Sequence, residues 1–287
     1  MIAPNNKKTA LITGCGAGGI GQALSKEFNS QGFLVIATLL PWESRDHLEP
    51  LGIKCFDLDV TNEESTAAFK VAVDKLTGGR LDVLVNNAGI CYTMPTTDTD
   101  VKEVEKMFAV NVFGPMRMVR HFYPMLINTK GTVVNIGSIG GIVPYVYGAS
   151  YNASKAALVH YGNTLRVEMK PFGVKVINVI SGEVNTNILK SDVERSLPAD
   201  SLFASTNDLF VAHVKRTPGG MAPEDYALAV VGEVLKASPR AQFWYGAQTF
   251  VVWFGDTFLW KTCWDLLFWK MFSMERMVPK LANKKIE

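Results

Sequence analysis

Between residues 9 and 180 the chain repeats one pattern, a short apolar run rich in β-branched residues followed by a segment of helical length. The runs cover residues 9–13, 33–38, 53–56, 81–86, 132–136 and 174–180. Residues 22–30, 63–76, 101–127 and 150–170 lie between them with helical length and pattern. Runs that are apolar throughout, without alternation, suit strands buried on both faces. Strands alternating with helices predict a parallel sheet, because parallel neighbours need a long crossover connection. Right-handed crossovers then give a doubly wound α/β Rossmann-type sheet with helices on both faces.

The remainder of the chain has a different texture. Residues 183–222 read as irregular, a substrate loop with clear loop chemistry in Thr-Pro-Gly-Gly at 217–220. A helix restarts at Pro223, where proline suits the first turn and Glu224 and Asp225 suit its positive end. Residues 242–245 form a last short strand, which closes a Rossmann domain of residues 1–246. An aromatic-rich extension, 247–287, follows. Five of the six tryptophans, Trp244, Trp253, Trp260, Trp264 and Trp269, fall within 26 residues. Asp256, Lys261, Asp265 and Lys270 interrupt this stretch too often for a spanning helix. On one continuous helical wheel Lys261 and Asp265 lie together, with Asp256 and Lys270 on the far side. Two readings remain for it: a peripheral contact with a membrane or lipid droplet through 247–272, or a lid or oligomer face over an apolar pocket.

Composition narrows the function classes. A chain with 48% hydrophobic and 20% charged residues is globular, and a net charge of +2 gives no nucleic-acid surface. Cys15, Cys55, Cys91 and Cys263 are scattered without metal-ligand spacing, so they read as reduced thiols and no metal is expected. The polar start, residues 1–8, has no signal-peptide pattern, which points to the cytoplasm, with the endoplasmic reticulum or lipid droplets as peripheral sites. A hydrolase would need GxSxG, and no serine has glycine at both −2 and +2.

Two constellations carry chemistry. Thr13-Gly-Cys-Gly-Ala-Gly-Gly-Ile-Gly21 joins the first strand to the first helix, where glycines let the backbone approach a pyrophosphate at a helix N-terminus. Tyr151 and Lys155 are four residues apart on one helix face, and Ser138 lies thirteen positions before the tyrosine. An ammonium beside a phenol favours the phenolate, so Lys155 is expected to pull Tyr151 down from its usual value of about 10. Tyr151 then serves as a general acid toward a developing alkoxide, or as a base in the reverse direction.

With Asp59, Asn86-Asn-Ala-Gly89 and Asn111 added in this order, residues 8–190 resemble the short-chain dehydrogenase/reductase family. The resemblance implies Asn111, Ser138, Tyr151 and Lys155 as catalytic residues. It implies cofactor contacts from Gly14, Gly19, Ile20, Gly21, Asp59, Val60, Asn87, Ala88 and Gly89, from Tyr151 and Lys155, and from Gly182, Val184 and Thr186. Gly18 and Gly19 compete for the middle glycine place. Asn111 would support a water between Lys155 and solvent. Family members usually carry Pro-Gly where this chain has Ser181-Gly182, so a less rigid turn is expected. The position after the second strand that separates NAD from NADP holds Leu39 and Leu40, and Arg45 lies within reach of a 2′-phosphate. NADP(H) is therefore favoured over NAD(H). Asn111-Val-Phe-Gly114, Ala153-Ser-Lys-Ala-Ala157 and the stretch from Glu168 to Asn178 are similar to the fungal NADPH-dependent 1-acyldihydroxyacetone-phosphate reductase branch. That implies reduction of an apolar ketone, a lipid ketone or a fungal polyketide or terpenoid ketone, by a homo-oligomer. The same machinery run backwards would oxidise a secondary alcohol.

Overall fold

The computed structural model describes residues 7–216 and 219–278. Its strands are β1 (Thr9–Ile12), β2 (Leu34–Leu39), β3 (Lys54–Asp57), β4 (Val83–Asn86), β5 (Thr132–Ile136), β6 (Lys175–Ser181) and β7 (Gln242–Tyr245). All pair in parallel in the order β3-β2-β1-β4-β5-β6-β7. The helices are α1 (Ile20–Ser30), α2 (Glu63–Thr77), α3 (Val101–Phe108), α4 (Gly114–Thr129), α5 (Ala149–Met169), α6 (Asn207–Lys215), α7 (Pro223–Val234), α8 (Thr249–Phe258) and α9 (Cys263–Met271).

Residues of one strand divide between the two faces with a period of two. Ala10, Ile12, Val35 and Ala37 join the core under α1 and α7, with Leu24, Phe28, Tyr226 and Val230. Leu11 and Ile36 join the opposite core, with Phe69 of α2, Phe122 of α4 and Leu165 of α5. Both faces are covered, which is why the central strands are mostly apolar.

The doubly wound sheet expected from the sequence is present, and the common elements start and end within two residues of the expected bounds. Three local expectations change. Residues 101–127 are one helix by pattern, but a π-helical turn, Ala109–Phe113, separates α3 from α4. The extra residue in that turn brings Asn111 and Val112 into the interior. Residues 183–222 are not wholly irregular, because α6 lies inside them; with only Phe210 and Val214 buried, its apolar stripe is too sparse to read. Thr217 and Pro218 lie outside the described residues. Finally, the aromatic stretch is two helices, because the chain breaks at the extended Leu259 and returns Trp264 to rest on Gly255. That break also brings Lys261 onto Asp256 as an ion pair, which a continuous wheel keeps apart. No helix among the described residues is long and apolar enough to cross a membrane.

One buried polar ladder crosses the middle of the sheet. Asn86 on β4 donates to Asn135 on β5 at 2.9 Å, and Asn135 donates to Asn178 on β6 at 3.1 Å. Asn178 in turn donates to the Val159 carbonyl of α5 at 2.9 Å and to Asn163 at 3.1 Å. Gly162 makes this approach possible, since a methyl group there would lie 2.0 Å from the Asn178 oxygen. Asn135→Ala strands partners on both sides, so urea unfolding should show a loss of about 3 kcal/mol. Gly162→Ala should lose a similar amount, about 1–3 kcal/mol, by overpacking. An unchanged unfolding midpoint in both variants would remove the ladder as a structural constraint.

Candidate active site

A cavity of about 790 Å³ lies along the carboxyl ends of the strands. Its walls come from the residues that follow each central strand: Gly14 after β1, Asp59 and Val60 after β3, Asn87, Ala88 and Gly89 after β4, Ser138 after β5 and Gly182 after β6. The strand order reverses between β1 and β4, and in open parallel sheets that is where ligands enter.

At one end the glycine-rich turn is wrapped against the β4 loop. Gly14 has φ +69° and sits against Ala88, where a methyl group would come within 2.7 Å of Ala88 Cα. The Thr13 hydroxyl oxygen accepts from the N–H groups of Asn87 and Ala88, each at 3.0 Å. Asn87 Nδ2 donates back to the carbonyls of Thr13 and Gly14, each at 2.8 Å. The question between Gly18 and Gly19 resolves into two roles: Gly18 takes the left-handed conformation and Gly19 is the residue before α1, which opens at Ile20. Gly21 lies on the inner side of the first turn, against the Gly14 carbonyl. That turn holds no acidic residue of its own, and the positive end of α1 faces the cavity. Backbone close to backbone, beside a bare helix N-terminus, fits a dinucleotide pyrophosphate. Asp59 shapes the β3 turn by accepting from the Thr61 N–H and hydroxyl at 2.8 and 2.7 Å.

The basic residue expected to reach a 2′-phosphate is committed elsewhere. Arg45 pairs with Asp57 at 2.5 Å and with Glu49 at 3.8 Å, and it does not line the cavity. Glu43, which the sequence reading passed over, lines it instead. Its carboxylate accepts from the Leu40 N–H at 2.7 Å and lies across Gly16 of the turn.

The four expected catalytic residues meet at the centre. Ser138 stands at the mouth of β5, where its oxygen accepts from the Gly140 N–H at 3.0 Å. Its hydroxyl and the Tyr151 phenol line the same cavity, and Ser138 acts to lower the pKa of that phenol. Lys155, one turn further along α5, donates to the Ile136 carbonyl at 2.9 Å and lies 5.8 Å from the centre of the Tyr151 ring. Asn111 is fully buried and donates to the Ile90 carbonyl at 3.0 Å and to the Ser154 hydroxyl at 3.1 Å. Its oxygen accepts from the Ile90 N–H at 2.9 Å, so the side chain braces the β4 loop against α5.

Electrostatics here depart from the expectation. The Tyr151 phenol is pushed up, chiefly by burial and then by the Cys91 thiol, and Ser138 offsets only part of this. Burial instead brings the Lys155 ammonium down to about 8. The reason is depth: Lys155 is buried and Tyr151 half-buried, and the ammonium sits beside the ring and bonds a backbone carbonyl.

The remaining wall comes from the segment after β6. Gly182 is held rather than loose, since its N–H donates to the Tyr245 carbonyl at 2.9 Å and the Ala247 carbonyl lies where a side chain would be. Ser181 adds a 2.5 Å bond to the Tyr226 hydroxyl. The expected consequence of losing proline is thus cancelled by contacts from β7 and α7. Val184 bridges to Met221, and Thr186 faces the cavity. Asn187 donates to the Ala17 carbonyl at 2.9 Å, which ties this segment to the glycine turn. Two further links dock it: Thr93 donates to the buried Asp192 at 2.7 Å, and Ser201 donates to Asp98. Cys91, Tyr145, His213 and Arg216 also line this end. No motif marks them, because loops distant in sequence bring them together.

The comparisons with known proteins agree with this geometry. The profile of the family described as short chain dehydrogenase matches residues 8–196. The chain is 60% identical to the short-chain dehydrogenase RED1 of Pyricularia oryzae, over 96% of this chain and 99% of that one. It is 36% identical to the NADPH-dependent 1-acyldihydroxyacetone phosphate reductase of Schizosaccharomyces pombe, over 98% and 97%. Among solved structures, a short-chain dehydrogenase from Streptomyces avermitilis superposes with a TM-score of 0.76 at 27% identity, covering 94% of this chain and 99% of that chain. A glycine-wrapped dinucleotide cradle that ends on a serine, a tyrosine and a lysine thus belongs to a chain of the short-chain dehydrogenase/reductase family, an NAD(P)-dependent oxidoreductase.

Proposed function

We propose that the protein reduces the carbonyl of a ketone with an apolar body, such as a lipid ketone, with NADPH, and that Tyr151 donates the proton. The observation that carries this reading is the Ser138–Tyr151 hydroxyl pair on the floor of a cavity walled by Ile139, Val143, Ile188 and Leu189. A carbonyl oxygen placed between those hydroxyls meets two donors already oriented, which stabilise charge as it grows there. A bound nicotinamide dinucleotide would supply the hydride. Because burial keeps the Tyr151 phenol protonated, the resting site is charged with an acid rather than a base. Lys155⁺ balances the tyrosinate left after the proton moves. Phe268 and Phe272 of the aromatic extension pack edge-on against Tyr145, a cavity wall, which supports the extension as the pocket's outer lid.

NADPH as reductant is supported by the uncharged Leu39 and Leu40 at the ribose edge and by the cofactor named for the Schizosaccharomyces pombe relative. Glu43, beside Leu40, is a charged group at that edge which opposes a phosphate. Its neutral variant, Glu43→Gln, should lower the KM for NADPH about tenfold and change that for NADH much less. Equal shifts for the two cofactors would place Glu43 away from the ribose.

Tyr151→Phe should cut carbonyl reduction at least about a hundredfold while NADPH still binds in a fluorescence titration. A wild-type rate in that variant would end the case for Tyr151 as donor. The Lys155 ammonium, brought down to about 8, also gives a pH signature. Its protonated form is the low-pH form, so kcat/KM for NADPH, which reports the free enzyme, should hold below that pH and fall above it. A profile that rises through the same range would contradict the role given to the ammonium.

A further inference from the structure

The substrate end of the cavity contains a guanidinium that the reduction itself does not use. Arg216 follows α6 and lines the cavity together with Ser138 and Tyr151. It is only partly engaged. One Nη1–H goes to the His213 carbonyl at 3.2 Å, and Nη1 lies 3.3 Å from each ring nitrogen of His213. Nη2 meets Glu183 at 3.3 Å, a single long contact in place of the bidentate fork that a carboxylate offers arginine. Among the described residues, Nε–H and the second Nη2–H have no acceptor.

Its neighbours leave the charge available to a ligand. Burial, and then Arg216 itself, hold the His213 imidazole down at about 4, so the ring is neutral and adds no second cation. Tyr145 lines the same wall, its phenol raised by burial and eased down by Arg216. The charged residues lining this end are Lys155, Arg216 and Glu183, a net positive set inside otherwise apolar walls. The two carboxylates that would reverse that sign, Glu43 and Asp59, line the opposite, nucleotide end.

We propose that Arg216 recognises an oxyanion, carboxylate or phosphate, carried by the carbonyl substrate, so that anionic ketones and aldehydes are the preferred substrates of this cavity. The proposal rests on the carbonyl-reductase reading above. A planar guanidinium with two open donors takes such a group in paired hydrogen bonds, whereas a neutral ester at the same place satisfies neither. Arg216 binds and orients; Ser138 and Tyr151 still carry the reaction.

Matched pairs test it: 4-formylbenzoate against its methyl ester, and a 1-acyldihydroxyacetone phosphate against its dephosphorylated ketone. With NADPH, wild-type protein should favour the anion of a pair by about 30-fold in kcat/KM. Arg216→Met should bring that ratio close to one, and Arg216→Lys should retain part of it. The pair with the larger ratio tells carboxylate from phosphate. A ratio that survives Arg216→Met, or a wild-type preference for the neutral partner, overturns the proposal and leaves Arg216 as a brace for Glu183. Calorimetric titration with 4-(hydroxymethyl)benzoate in the presence of NADP+ gives a readout independent of turnover. Binding should weaken at least about tenfold in Arg216→Met; equal binding, or none to either protein, overturns the proposal. If no carbonyl is reduced yet binding still depends on Arg216, the reductase reading falls and the anion site stands.

Discussion

The position of α5 is the constraint on which the site depends, and buried amide groups set it. A helix packed on a sheet through apolar side chains alone can slide or tilt at little cost, because such contacts are non-directional. Here Asn178 hydrogen-bonds the Val159 carbonyl in the middle of α5, and Gly162 lets the helix close over it. The ladder continues through Asn135 to Asn86, the last residue of β4 and the neighbour of the loop that lines the cavity. Tyr151 and Lys155 lie on the same helix, about two turns toward its start, and Ser138 follows β5 by two residues. One set of directional bonds therefore relates Tyr151, Ser138 and the cavity wall that follows β4. Asn111 adds a second tie between α5 and the β4 loop from the π-helical turn.

The distribution of charge follows from the same geometry. Burying both Tyr151 and Lys155 costs the charged form of each, which holds the phenol protonated and softens the ammonium. Glu43 and Asp59 sit at the nucleotide end, and Lys155 and Arg216 outnumber Glu183 at the substrate end, so the cavity is polarised along its length. Hydroxyls at the junction are where charge in a carbonyl reduction would develop.

Much of this was legible in the sequence because it rests on local chemistry. Uninterrupted apolar strands, helical spacers and a glycine turn in the right place report on residues that are neighbours along the chain. Tyr151 and Lys155 share a face by helical period, and Ser138 and Asn87 follow recognisable strands. Arg45 illustrates the limit: its distance along the chain from the cofactor turn is suitable, but Asp57 on the adjacent strand captures it. Glu43 was invisible for the opposite reason, since only the fold of the loop after β2 lays it across Gly16. The sign of the Tyr151 shift was misread because helical spacing conveys proximity and says nothing of burial. Arg216 and His213 escaped notice because a short helix with two buried residues leaves little periodic trace.

The contact between Gly182 and the chain just past β7 has a further consequence. The Ala247 carbonyl fills the space a side chain would take at Gly182, and the Glu183 N–H donates to that carbonyl at 3.1 Å. The first residues of the aromatic extension are thus laced into the wall of the nucleotide cleft. Farther along, Phe268 of α9 packs on Tyr145, another residue that lines the cavity. The extension is thus fastened to the cavity wall at two places. Substitutions at those two contacts would reshape that wall while leaving Ser138, Tyr151 and Lys155 in place, giving the fold a way to vary the shape of its cavity without altering the centre.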